Sequence, residues 1–290
     1  MQAPDDRGRP AVPSLPRSNR PIGREAICCE PAFTNHREPD SSGSNHRATP
    51  GNALMLFELD GLLSRAECLE PRTPQDLRTW VVNKCDAFAQ IPELREPVLL
   101  HKGPFKSFHE EIYPLSMFAI RHYGHRSDVH CMPTLDSTHD FDAKIQFLKP
   151  RRTIKLEITG ARDPSEHLRM EYFVGHRLVG RFGDVTVEGT RRTGRKIHHD
   201  LEFVNSEEPR ASHLGWIRAP AEGKAVRGRY GKGYELLISV EDFWFGAFGA
   251  DDGPEVTRFI QSEILGLSLP FDAVHLVGFF GRLFLSFPLR

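Results

Sequence analysis

Asp142 and Glu157 are the residues whose types and spacing point most directly to chemistry. They lie in the stretch Asp140 to Thr159, DFDAKIQFLKPRRTIKLEIT. Phe141, Ala143, Ile145 and Phe147 alternate there with Asp140, Asp142, Lys144 and Gln146. Ile154, Leu156 and Ile158 then alternate with Thr153, Lys155, Glu157 and Thr159. Period-two alternation gives each strand one apolar and one polar face. A hairpin must keep both apolar sets on one side, so even-numbered residues oppose odd-numbered ones. The register that closes 147 on 152 puts Asp142 opposite Glu157. Two adjacent carboxylates repel unless a cation or a shared proton relieves them. Asp140 becomes the alternative partner if the turn is not four residues long.

The surrounding elements must hold that hairpin. Upstream, Ala53 to Leu69 has a helical apolar stripe. Thr73-Pro74-Gln75-Asp76 carries a cap, a first-turn proline and an acidic third position, opening a second helix. A third helix spans about Phe105 to Tyr123, with Phe105, Phe108, Ile112, Leu115 and Phe118 on one side. Its interior Pro114 presses on the carbonyl of Glu110 and predicts a bend beside Glu110 and Glu111, one of which is expected to be merely solvated. Asp128 to Met132 reads as a strand. Downstream come a helix from Asp163 to about Leu178 and a hairpin, Asp184 to Thr190 and Lys196 to Val204. A polar loop over 205–215 and a short helix from about Pro220 to Tyr230 follow. Tyr234 to Val240 is an interior strand, a helix runs through Val256 and Ile264, and Ala273 to Phe279 and Leu283 to Phe287 are the last strands.

The chain has 290 residues and a net charge of −1, which gives no global nucleic-acid signal and leaves only local basic patches for such a partner. Five scattered cysteines suggest neither zinc nor a disulfide framework. No apolar run approaches a membrane span, and the N-terminus lacks a signal core, so a cytoplasmic protein is expected. Residues 1–53 hold eight prolines and almost no apolar periodicity. They read as a disordered tail or an over-extended start, the alternative being a basic arm that touches a polyanion. Residues 54–290 read as a single α/β domain.

The order of helix with Glu, strand, strand with Asp142, strand with Glu157-Ile158-Thr159, helix and later strand resembles the PD-(D/E)XK nuclease superfamily. The resemblance covers about residues 105–240. It implies a restriction-endonuclease-like core, a central mixed β-sheet flanked by helices, with extra N-terminal helices and a C-terminal α/β extension. It also implies Mg²⁺ or Mn²⁺ held by Asp142, Glu157 and the carbonyl of Ile158, with Glu111 (or else Glu110) as the acidic residue of the first core helix. Hard oxygen ligands suit such an ion, which can polarise a phosphate and acidify a water. The family's usual lysine is Thr159 here. Lys144 on the neighbouring strand, or Lys224 on a later helix, is the candidate replacement; otherwise catalysis is lost.

DNA would be held by basic clusters: Arg151 and Arg152 beside Lys149; Arg191, Arg192, Arg195 and Lys196; and Lys224 onward. His198 and His199 are adjacent, so a strand points them to opposite faces and argues against a metal pair. The expectation is a divergent Mg²⁺-dependent nuclease acting on DNA, with Asp142, Glu157, Thr159 and Lys144 as its catalytic group. The alternatives are an inactive binding module of the same fold and an unrelated α/β protein.

Overall fold

The structure, a computed structural model, describes residues 61–135, 139–176, 183–190, 192–200, 207–226, 229–242 and 253–289. The expectation for residues 1–53 lies outside them. In chain order the helices before the sheet are Arg65–Cys68 (α1), Pro74–Ala89 (α2), Arg95–Leu99 (α3), Pro104–Ser107 (α4) and Tyr113–Tyr123 (α5). Strands Val129–Pro133 (β1), Ala143–Leu148 (β2) and Arg151–Ala161 (β3) follow, then Glu166–His176 (α6), Val185–Thr190 (β4) and Gly194–His199 (β5). The chain continues through Glu207–Ala225 (α7), Tyr234–Val240 (β6), Gly253–Phe259 (α8), Ala273–Gly278 (β7) and Phe284–Pro288 (β8).

A mixed six-stranded sheet, β1-β2-β3-β6-β7-β8, forms the centre, and β4 and β5 make a separate two-stranded ribbon. Only β3–β6 and β6–β7 pair in parallel in the large sheet; its other neighbours are antiparallel. Helices cover both faces. Ala143, Ile145, Phe147, Leu156 and Ile158 pack with Leu77 and Val81 of α2 and Leu115 and Phe118 of α5. On the opposite side Leu236, Ile238, Val274 and Leu276 pack with Ile217 and Ala221 of α7 and Val256 of α8. The protein is therefore an α/β fold with a mixed central sheet between two apolar layers.

The hairpin has the expected register. Phe147 pairs with Arg152 and Ala143 with Leu156, closing at Leu148 and Arg151 around the cis Lys149–Pro150 bond. The cap before α2 is also as expected: Thr73 Oγ1 accepts from the Asp76 N–H at 3.2 Å and donates to Asp76 Oδ2 at 2.6 Å.

Three elements differ from expectation. Ahead of α2, the described part of the Ala53–Leu69 stripe is helical only over α1, because Ser64 starts a new cap by accepting from the Glu67 N–H at 3.1 Å. The third helix is broken by a π-helical turn at Phe108–Ile112, which widens the backbone ahead of Pro114 and leaves that proline in the first turn of α5. The described part of the expected polar loop at 205–215, from Glu207 on, is instead the first half of α7, which ends at Ala225 rather than Tyr230. Gly215, Gly223 and Pro220 mask that helix in sequence, but Ile217 and Ala221 are fully buried, and burial outweighs the weak propensity.

The C-terminal hairpin is tied to β6 by Asp242. This carboxylate is fully buried and accepts the backbone N–H groups of Phe280 (2.7 Å), Arg282 (2.6 Å) and Leu283 (2.9 Å). His275 of β7 is also buried with both ring nitrogens engaged, Nε2 with Glu235 at 3.0 Å and Nδ1 with Ser286 at 2.9 Å. Among the described residues, no helix is long and apolar enough to cross a membrane.

Candidate functional site

The site forms where β2 and β3 part. Their pairing ends at Ala143 and Leu156, yet β3 continues beside β6 as far as Ala161. The edge of β3 that β2 no longer covers is used by Asp142, whose Oδ2 accepts the Ile158 N–H at 2.7 Å. The Asp142 N–H itself donates to the Leu156 carbonyl at 2.8 Å, so the strand register carries on to Asp142 opposite Glu157. The expected carboxylate pair is present in that sense.

Asp142 faces an open cleft of about 270 Å³, lined also by Glu110, Glu111, Ile158, Thr159, Gly160 and Arg162. The π-helical turn carries both glutamates into it. Burial, then the charges of Asp142 and Glu110, push the Glu111 carboxyl up to about 7. Burial and the charge of Glu157 raise Asp142 to about 6, against the opposing pull of the Ile158 N–H, Lys224 and Arg229. Among the described residues, three carboxyl groups, Glu110, Glu111 and Asp142, thus share this cleft with the single guanidinium of Arg162.

Glu157 differs from its expected place on an open polar face. It is 3 % exposed, and Lys224 at the end of α7 donates to its Oε1. Arg229 adds a second cation 3.7 Å from the same oxygen. Of the two lysines named as candidates, Lys224 thus reaches the Glu157 carboxylate from α7. The other, Lys144, sits opposite Lys155 with its ammonium 5.3 Å from the Phe141 ring; neither lysine lines the cleft itself. Asp140 does not line the cleft: it accepts from the Tyr234 hydroxyl at 2.5 Å, which in turn accepts from Lys155 at 2.9 Å.

The basic clusters scatter. Arg151 and Arg152 stand at the far end of the hairpin, about 20 Å along the strand from Asp142. Arg152 lies over the Phe147 ring instead. Arg195 is engaged by Glu171 at 2.7 Å, and Arg192, Arg195 and Lys196 belong to the separate ribbon. Arg191 falls outside the described residues. His198 and His199 are consecutive on β5, as the argument against a metal pair required.

One residue that sequence reasoning missed is Arg162, just beyond β3. It donates to His101 Nδ1 (3.4 Å), His109 Nδ1 (3.2 Å) and Glu110 Oε1 (3.3 Å) at the rim of the cleft. Arginine has no acceptor, so both imidazoles present an unprotonated Nδ1. Burial first, and then the neighbouring positive charge, hold His101 down at about 4 and His109 well below the usual histidine range. The signal for this cluster was long-range, 61 and 53 residues apart, and no local pattern contained it.

Among the described residues, no group of three or more His, Cys, Asp or Glu side chains is gathered into a ready metal cage. Two carboxylates and a backbone edge nevertheless suit Mg²⁺, which takes one or two carboxylates and keeps several waters. The placing of Glu111 and Asp142 in one open cleft is the structural observation that favours such an ion. No protein-family model matches this chain, and no curated protein or solved structure is significantly similar to it.

Proposed function

We propose that this protein is a divergent, metal-dependent nuclease of the PD-(D/E)XK type that hydrolyses phosphodiester bonds in DNA. The observation that carries the reading is the meeting of Lys224 with Glu157 directly across the hairpin from Asp142. It restores an ammonium to a motif whose usual lysine is Thr159. The order of elements around the hairpin supports the same reading, from the acidic turn before α5 to β6.

Asp142 and Glu111 would hold Mg²⁺ or Mn²⁺, with the Ile158 carbonyl as a third oxygen. The bound ion supplies Lewis acidity at the phosphate and a more acidic water. Arg162, fixed by three acceptors, presents positive charge to the phosphate at the cleft rim. The Thr159 hydroxyl lines the cleft and orients the attacking water. Lys224 compensates Glu157 and holds that carboxylate beside Asp142. Hydrolysis forms one P–O bond to water and breaks the bond to the leaving sugar oxygen, which takes up a proton.

Titration of Mg²⁺ and Mn²⁺ into the protein, followed by thermal unfolding, tests this. Binding raises the midpoint by about 2–4 °C per kcal/mol in the parent and leaves Asp142→Asn unmoved. Metal-dependent cleavage of DNA by the parent alone completes the expected result. No shift in the parent at millimolar metal sinks the reading. A second reading, a binding module of the same architecture without catalysis, is favoured by one observation: among the described residues, Thr159 lines the cleft and no lysine does. Metal binding without cleavage of any DNA selects it.

A further inference from the structure

A second pocket, of about 310 Å³, adjoins the acidic cleft and shares Glu110 and Arg162 with it. Its walls come from the end of α3, from α4 and from α6. Leu99, Leu100 and Met170 give it an apolar wall, while His101, Lys106, His167 and the carboxylates of Asp163 and Glu166 supply polar groups. Apolar surface combined with polar groups is the make-up of a small-molecule site, and the volume is at the small end for one. A volume of about 310 Å³ has room for a single nucleoside and not for a base pair.

Position determines what such a pocket is for. Arg162 stands at the boundary of the two cavities and cannot swing freely, because His101, His109 and Glu110 hold its guanidinium. Lys106 reaches the same boundary, close enough to Glu111 to oppose its raised proton affinity. A phosphate in the acidic cleft would thus lie against Arg162, and the sugar and base attached to it would extend past Lys106 onto Leu99, Leu100 and Met170. A base can enter only if it has left its stack and its partner, which costs a few kcal/mol in an intact duplex and little in a single strand. The charge pattern agrees: the chain is near neutral overall, and among the described residues the arginine-rich turn at 151–152 stands far from the cleft, where it adds nothing to the hold on a duplex backbone there.

We infer that this pocket receives the nucleoside beside the scissile phosphate, and that the substrate is therefore an unpaired strand: single-stranded DNA, or a frayed or branched end. The inference rests on the hydrolytic reading of the neighbouring cleft.

The test compares cleavage of a short labelled oligonucleotide as a single strand, as a full duplex and as a duplex with a central mismatch bubble, in Mn²⁺. The expected kcat/KM for the single strand exceeds that for the duplex by about tenfold or more, and the bubble recovers most of the difference. Met170→Trp fills the pocket and removes the single-strand advantage. Leu100→Trp fills it from the opposite wall and serves if Met170→Trp does not fold, as judged by its melting curve. Equal or faster cleavage of the duplex overturns the inference, as does unchanged single-strand cleavage by a folded pocket-filling variant. Should no substrate be cleaved, the hydrolytic reading fails and binding decides the pocket. In that case fluorescence anisotropy with the same single strand in Ca²⁺ supports the pocket if the filling variants bind at least tenfold more weakly than the parent. It overturns the pocket if they bind equally.

Discussion

Glu157 lies in the sheet interior with 3 % of its surface exposed, where an unpaired carboxylate would be very costly. Its compensation comes from Lys224, itself largely buried. Removing one partner of such a pair leaves the other charge stranded, so Lys224→Ala is expected to lose about 3–5 kcal/mol in urea denaturation. Adding Glu157→Gln should restore much of that loss, and a double mutant no more stable than Lys224→Ala would refute the coupling. Glu111 behaves oppositely. Its carboxyl is raised from 4.5 to about 7 in the folded chain, so the folded state disfavours the ionised form. The resulting penalty is absent below about pH 4.5, grows as pH climbs towards 7 and is full above it. In metal-free buffer Glu111→Gln should therefore gain about 1–2 kcal/mol at pH 8, after allowance for screening in the open cleft, and nothing at pH 4. A gain independent of pH would mean that the buried charge of Glu111 is not the cause.

Among the elements, the β2–β3 hairpin was legible because alternation admits a single register once both apolar sets must face inward. The same logic could not find α7. That helix contains Gly215, Pro220 and Gly223, and it is sustained by Ile217 and Ala221 against the sheet, a contact that no local window contains. Lys224 could thus be named from sequence only as one of two candidates. The π-helical turn was half legible: Pro114 announced a distortion, but not that both Glu110 and Glu111 would reach the cleft. Asp242 gave no signal, since a single aspartate after a strand resembles any turn residue. Three backbone donors depend on it, so Asp242→Ala should cost about 3–4 kcal/mol. Its neighbour Gly278 is under the same constraint, because a Cβ there would overlap the Asp242 carboxylate. Gly278→Ala should destabilise to a similar degree, read by the same thermal or chemical melt; a neutral result for both variants would show that the clasp is dispensable.

Across the whole molecule the sheet separates two apolar layers, and the site draws on both. Glu111 arrives with the α2–α5 layer, Lys224 with the α7–α8 layer, and Asp142 and Glu157 from the sheet between them. The site is therefore complete only when both layers are packed. The interval along the chain matters too: Lys224 follows Glu157 by 67 residues. On the ribosome the hairpin and its acidic turn emerge well before their ammonium does. A nascent chain that has reached only β5 carries Asp142 and Glu157 without the cation that lets Glu157 be buried. Order of synthesis thus acts as a timer, and a half-made copy of this protein does not possess the site.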